Sequence, residues 1–154
     1  MGRCHSHNTC RDRALSDADV ICRRQEANLT PIRKRVLELV WQSHRPIKAY
    51  DVLAQLQQEM SSAKPPTVYR ALDFLLEHRL IHKLQRLNAF IGCHHPESGG
   101  ESCYFLICTR CEETQEFHHP AIRRSLQDSM RQQQFLAQHV TVEVEGVCKG
   151  CSAG

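Results

Sequence analysis

Apolar residues recur at helical spacing through the first half of the chain. The stretch LTPIRKRVLELV (29–40) opens with a Thr-Pro helix start and then places apolar residues at steps of three and four. AYDVLAQL (49–56) and KPPTVYRALDFLLEHRL (64–80) repeat this pattern, and ALSDADVICRRQEAN (14–28) shows a looser version of it. We therefore predict a helical face over 14–28 and helices over about 31–43, 49–60 and 64–79.

The apolar period changes from helical to alternating after residue 80. IHKLQ (81–85) and AFIGC (89–93) indicate two short strands around a turn near Asn88. Helices followed by a β-hairpin are the outline of a winged helix-turn-helix domain, which we assign to residues 14–94. Residues 1–13, rich in Cys and His, are expected to form a flexible arm.

The second half mixes strands with one amphipathic helix. After a polar linker over 95–103, the pattern predicts strands at 104–107, 115–117 and 140–145 and a helix at 120–134. The predicted fold class is therefore α/β in the broad α+β sense, with residues 104–154 forming a small C-terminal α/β domain. Its edge strands would be exposed in a monomer, so we expect this domain to mediate dimerisation.

Composition argues against a membrane protein and favours metal binding. Of the 154 residues, 41% are hydrophobic and 24% are charged, as in ordinary globular proteins. No apolar run approaches the roughly 18 residues of a membrane span, and the polar N-terminus lacks the apolar core of a signal peptide. We expect a cytoplasmic protein, in which nine cysteines and ten histidines favour metal sites over a disulfide framework.

The charge distribution suggests a double-stranded DNA partner. Residues 1–87 contain 15 Lys/Arg and 9 Asp/Glu, whereas residues 88–154 contain 5 and 8. The basic half carries the predicted helix-turn-helix, whose second helix, Lys64–Leu76, is expected to enter the major groove. Arg70 is the candidate contact to guanine. Further candidates, for phosphate, sugar or thymine methyl, are Tyr50, Tyr69, Thr67, Lys64 and Arg33.

Two Cys-x-x-Cys pairs follow predicted strands in the second half. Cys108 with Cys111, and Cys148 with Cys151, have the spacing of two zinc knuckles that share one tetrahedral ion. The redox alternative expects one pair to open a helix in a thioredoxin-like context, and neither pair is predicted to precede a helix closely. We therefore predict a structural zinc site. No phosphate loop, Ser/His/Asp set or HExxH motif supports an enzyme with a small-molecule substrate.

Further metal donors are distributed over both halves. An imidazole, thiols and carboxylates together form a plausible zinc set. An ion that binds donors from both halves would fix the angle between the modules and could thereby switch DNA binding. These residues alone leave an alternative open, in which the histidine and cysteine are simply packed in the hairpin and the glutamates are solvated. The donors are His82, Cys93, Glu101, Cys103 and Glu116.

The sequence resembles the Fur family of metal-dependent repressors, and within it the zinc-sensing branch. The resemblance covers about residues 14–151 and rests on LTPIRKRVLELV (29–40), AYDVLAQL (49–56), KPPTVYRALDFLLEHRLIHKL (64–84), NAFIGC (88–93) and the two Cys pairs. It implies a homodimer with a winged-helix domain and a dimerisation domain. It also implies two zinc ions per protomer, one structural and one regulatory.

The resemblance assigns roles to individual residues. His82, Cys93 and Glu116 match regulatory zinc ligands, and the remaining ligand position falls on Glu101, with Cys103 or His95 as alternatives. Tyr50 and Arg70 match the residues that read the operator. The expected function is therefore a DNA-binding repressor of zinc-uptake genes that uses zinc as corepressor on a palindromic operator.

Two other functions are retained as alternatives. One is a sensor of iron, manganese or peroxide with the same architecture, and the other is a thiol redox protein. Two further sets of donors could also bind metal, and the sequence leaves both open. They are His118, His119 and His139 in the second half, and Cys4, His5, His7 and Cys10 in the arm.

Overall fold

The computed structural model describes residues 7–97 and 102–153. Packing divides the chain into two compact units, Met1–Glu97 and Ser98–Gly154. Within the described residues, no helix combines the length and apolarity that crossing a membrane requires. The elements in chain order are α1 (His7–Arg24), α2 (Pro31–Val40), α3 (Ala49–Glu59), α4 (Pro65–Glu77), β1 (Ile81–Leu84), β2 (Ala89–Gly92), β3 (Cys103–Cys108), β4 (Thr114–Phe117), α5 (Pro120–Gln132), β5 (Thr141–Gly146) and α6 (Lys149–Ser152).

The first unit is a winged helix-turn-helix. Helix α2 packs against both α3 and α4, and Val36, Val52 and Leu72 lie fully buried where these helices meet. Strands β1 and β2 form the antiparallel hairpin, or wing. Ile47, just before α3, exchanges two backbone hydrogen bonds of 2.8 Å with Phe90 of β2. The wing is therefore held beside the start of α3, in agreement with the predicted fold class.

The helix ends depart from the sequence-based prediction where side chains pack or cap. Helix α2 stops at Val40 rather than residue 43, because Trp41 turns inward and is only 6% exposed. Helix α1 begins at His7, so residues 7–13 are helical rather than part of a flexible arm. A salt bridge of 3.8 Å between Arg13 and Asp17, four residues apart, stabilises this extension.

The second unit is a three-stranded sheet with one long helix. Its strand order is β4-β3-β5, in which β3 is antiparallel to β4 and parallel to β5. Tyr104 and Phe105 of β3 are fully buried, so the central strand supplies the core of this unit. Helix α5 ends at Gln132, two residues before the predicted end, because Gln134 adopts a left-handed conformation and the Phe135 N–H caps the Met130 carbonyl.

Candidate DNA-binding surface and metal centres

Helix α4 presents a polar face to solvent. Its inner face is fixed by Val68, Leu72 and Leu75, which are at most 1% exposed. Residues one and two positions after Val68 must therefore point outward. Tyr69 is 54% exposed and Arg70 is also exposed. The packing of α4 thus leaves the two principal candidate DNA contacts of this helix available to a partner.

The start of α4 has few backbone N–H groups that could meet a phosphate. The first two helical positions are Pro65 and Pro66, which have no N–H, and the Thr67 N–H donates to the Lys64 carbonyl at 3.0 Å. Side chains are therefore the expected phosphate contacts here, of which Lys64 is exposed and Thr67 is half-buried.

Helix α3 adds exposed groups at its N-terminal end. Tyr50, in the first turn of α3, is 78% exposed. Lys48, the N-cap residue of α3, is exposed as well, and its side chain makes no capping hydrogen bond. Lys48 was not among the sequence-based candidates, and its exposure near Tyr50 makes it a further candidate for a phosphate contact.

Arg33 has a structural role that the sequence did not reveal. Its guanidinium lies 3.8 Å from the centroid of the Phe74 ring, and its Nη1 donates to the Asn28 carbonyl at 2.6 Å. The head group therefore links the loop before α2 to α4. Arg33 is thus the weakest of the six predicted DNA contacts, because binding phosphate would compete with these contacts.

Four thiols converge at one end of the sheet in the second unit. Because β3 and β5 are parallel and Cys108 pairs with Gly146, the two Cys-x-x-Cys segments leave the sheet side by side. The sulfur atoms of the four cysteines all lie within 4.8 Å of one another. The knuckles are further linked by the Thr109 N–H, which donates to the Gly146 carbonyl at 2.8 Å. The cluster consists of Cys108, Cys111, Cys148 and Cys151.

The distances in this cluster fit a metal and not a disulfide. The Sγ atoms of Cys111 and Cys148 are 3.8 Å apart, whereas a disulfide bond is about 2.05 Å long. A tetrahedral zinc ion with Zn–S bonds of about 2.3 Å places its sulfurs about 3.8 Å apart. One premise against redox chemistry was wrong, because Cys148 directly precedes the short helix α6. The redox interpretation is disfavoured instead by the convergence of four thiols.

The ionisation of the thiols also favours a cation among them. Backbone N–H groups of Cys148, Cys111 and Arg110 donate to the Cys108 sulfur and lower its pKa to about 6. Hydrogen bonding with the Cys148 and Cys111 side chains raises the pKa of Cys151 to about 12. Cys108 and Cys151 therefore ionise together at neutral pH only when a bound cation such as Zn²⁺ compensates their charge.

The hairpin of the first unit brings two further donors onto one face. His82 is paired with Ile91, and Cys93 lies two residues beyond Ile91, where its N–H donates to the Leu80 carbonyl at 3.1 Å. Residues 82 and 93 are therefore diagonal neighbours on the same face, a spacing of about 7–8 Å between backbones. Side chains of this length can converge on one ion. Cys93 is buried and His82 is half-buried.

The second unit holds another pair of donors on one face of its sheet. Glu116 of β4 pairs with Phe105, and Cys103 lies two residues before Phe105 on β3. The Cys103 sulfur and a Glu116 carboxylate oxygen lie within 4.8 Å of each other. Cys103 is 8% exposed, and the Glu116 side chain is 3% exposed. His118 Nε2 lies 3.2 Å from Glu116 Oε1.

The remaining predicted donors are less favourable or lie outside the described residues. Glu101, Cys4 and His5 fall outside the described ranges, as does the side chain of His7. His95 is exposed, and Cys10 forms a disulfide, so its sulfur is not a thiolate ligand. Within the described part of the chain, His118, His119 and His139 do not form a close group of three donors.

Comparisons with known proteins match both units. The sequence model of the ferric uptake regulator family matches residues 24–145. The zinc uptake regulation protein of Escherichia coli K12 is 35% identical over 137 residues, covering 89% of this chain and 80% of that protein. A solved zinc uptake regulator in complex with zinc and DNA is 34% identical, with a TM-score of 0.87 over 93% of this chain and 95% of that chain. The crystal structure of holo XcZur is 38% identical, with a TM-score of 0.83 over 91% and 97% of the respective chains.

Proposed function

The chain belongs to the ferric uptake regulator family, and we propose that it is a zinc-responsive, sequence-specific DNA-binding repressor of zinc-uptake genes. The family consists of regulators rather than enzymes. The observation that carries the proposal is that one chain combines an outward-facing α4, with Tyr69 and Arg70 exposed, and a four-thiol cluster of metal-binding geometry. Relatives named for zinc uptake match over both units of the chain.

Sequence-specific binding rests on helix α4. Its exposed face enters the major groove, where the Arg70 guanidinium donates two hydrogen bonds to guanine O6 and N7. Such a contact discriminates against a wrong base by about 1–3 kcal/mol. Lys48 and Lys64 lie exposed at the starts of α3 and α4 and bind the phosphate backbone, which fixes the register of α4 on the duplex. Exposed Tyr50 reads the operator together with Arg70.

A homodimer is proposed from the exposed apolar surface of the second unit. Helix α5 has no buried residue, although it carries an apolar stripe that includes Ile122, which is 38% exposed. Phe135 and Leu136, after α5, are 66% and 90% exposed. Large apolar side chains of this kind indicate a protein interface. Two copies related by a two-fold axis present two α4 helices, which matches a palindromic operator.

Two zinc ions per protomer are proposed, with different roles. The four-thiol cluster holds the structural ion, because a closed set of four protein ligands leaves no position for a substrate. The regulatory ion binds His82 and Cys93 with Glu116, a donor set that suits zinc better than the harder ligands preferred by magnesium or calcium. Bound zinc favours the DNA-binding conformation if it binds that conformation more tightly. The shift in the free energy of the equilibrium equals the difference in zinc-binding free energy between the two conformations.

The experiment that tests the function is operator binding under controlled zinc. A fluorescently labelled fragment of a zinc-uptake promoter is titrated with the full chain at fixed salt, across buffered free zinc, and binding is followed by anisotropy. Iron(II) and manganese(II) are run in parallel, with a scrambled fragment of equal length as the control for phosphate binding.

The expected result is a steep increase in operator affinity with zinc and a weaker response to the other metals. An equal or stronger response to iron or manganese would overturn the zinc assignment and favour the alternative family sensors. Absence of specific binding with any metal would overturn the repressor proposal. In that case a disulfide-reduction assay would test whether Cys108 and Cys111 act as a redox pair.

A further inference from the structure

We propose that Cys103 is the fourth ligand of the regulatory zinc ion, which would then be held by two thiolates, one imidazole and one carboxylate. This inference rests on the proposed function, because it names a ligand of the same regulatory site. The family resemblance places the remaining ligand at Glu101. Cys103 would take that place in this chain, beside Glu116 of the same unit.

The first argument is the placement of Cys103 in the sheet. Strand β3 directs Cys103, Phe105 and Ile107 to one face, and all three are at most 8% exposed. Glu116 pairs with Phe105, so its side chain is on that same face. The Cys103 sulfur lies within 4.8 Å of a Glu116 carboxylate oxygen, close enough for both atoms to bind one ion. Two adjacent ligand positions are thus already formed within the second unit.

The second argument is electrostatic. Cys103 is 8% exposed, and only 3% of the Glu116 side chain is exposed. A bound cation stabilises both a buried carboxylate and a thiolate beside it, because it supplies positive charge. A zinc ion provides that charge and lowers the pKa of the thiol that binds it. Cys103 and Glu116 therefore offer zinc two donors of suitable type in adjacent positions.

The third argument is the contact between His118 and Glu116. His118 Nε2 lies 3.2 Å from Glu116 Oε1, and the His118 side chain is 29% exposed. In metal sites, carboxylate ligands are commonly oriented by a neighbouring side chain. We assign His118 this positioning role.

The alternatives to Cys103 are less suited to the position. His95 is exposed, so it binds metal only after losing more hydration. Thiolate is also the softer donor, and zinc binds it strongly.

The test uses cobalt(II) as a spectroscopic probe of the regulatory site in the full chain. The structural zinc is retained, cobalt is added to one equivalent, and the thiolate-to-cobalt charge-transfer absorption is measured. Cys103→Ser, Cys103→His and Glu101→Gln are compared with the wild type, and Cys22→Ala is the control for loss of a buried thiol in the helical core. Circular dichroism and total zinc content establish that each variant is folded.

The proposal makes distinct predictions for each variant. Cys103→Ser should lose roughly half of the charge-transfer intensity, because one of two thiolate ligands is removed. Its zinc affinity should fall by at least about 10–100-fold, because this loss is typical even when the mutated residue only hydrogen-bonds to a metal ligand. Cys103→His should lose the same intensity but keep zinc-dependent operator binding. Glu101→Gln and Cys22→Ala should match the wild type.

Unchanged absorption in Cys103→Ser or Cys103→His would overturn the proposal, as would an altered spectrum in Glu101→Gln. Failure of the proposed function is separately visible. If wild-type protein shows no zinc-dependent operator binding, the repressor assignment fails. The cobalt spectra still decide whether Cys103 is a ligand.

Discussion

Replacing Gly92 with alanine should destabilise the first unit and weaken the zinc response, because β2 lies against an indole ring. A Cβ atom at Gly92 would be 2.1 Å from Trp41 Cε2 and 2.5 Å from Cζ2 and Nε1. Ordinary contacts begin near 3.4 Å, so the ring or the strand must move by more than 1 Å. Trp41 is only 6% exposed and has no room to withdraw without disturbing its neighbours.

The magnitude follows from the cost of overpacking a core. Extra methyl groups in a packed interior typically cost about 1–3 kcal/mol. For a unit of this size each kcal/mol lowers the melting temperature by about 4–8 °C, so the expected decrease is roughly 4–24 °C. Cys93 follows Gly92 directly, and metal sites tolerate ligand displacements of only about 0.2 Å. The zinc response should therefore shift to higher free zinc.

The assay uses a probe that reports on the affected unit. Trp41 is the single tryptophan of the chain, so its fluorescence follows unfolding of the first unit, while anisotropy follows operator binding across buffered zinc. Gly146→Ala is the matched control, because a Cβ there meets nothing within 4 Å. Equal melting temperatures for both variants and the wild type would refute the packing argument. A destabilised variant with an unchanged zinc midpoint would refute the link to Cys93.

Three further predictions concern DNA contact and the structural zinc. Arg70→Ala should weaken operator binding by about 5- to 150-fold, the equivalent of roughly 1–3 kcal/mol, with less effect on a scrambled fragment. Arg131→Ala is the control, because it removes the same charge from an exposed position on α5. Equal losses of operator affinity in the two variants would contradict base recognition. Cys108→Ser should lose the structural zinc and dissociate the dimer, measured by metal analysis and light scattering; a dimer with full zinc content would show that this thiol is not a ligand. Zinc loading at pH 7 should release protons, because Cys151, with its pKa raised to about 12, is protonated before binding and ionised afterwards. Zinc retention should therefore decrease as pH falls, and calorimetry in two buffers of different ionisation enthalpy would detect the release; identical enthalpies would contradict it.

Local sequence patterns determined the helices, the hairpin and the recognition of both Cys-x-x-Cys pairs. The apolar periods of three to four and of two residues arise from the geometry of the elements themselves, so they are readable without tertiary information. The same periodicity placed Tyr69 and Arg70 on the outer face of α4. Element ends were less predictable, because Glu26 and Gln134 adopt left-handed caps without glycine.

Only the tertiary structure decided which distant residues meet. The two thiol pairs are about 40 residues apart in sequence, and they converge because β5 pairs in parallel with β3. The close approach of Gly92 to Trp41, the packing of Arg33 on Phe74 and the proximity of Cys103 to Glu116 have no local signal. Such contacts depend on strand register and helix packing, which are set by burial of the whole unit rather than by neighbouring residues.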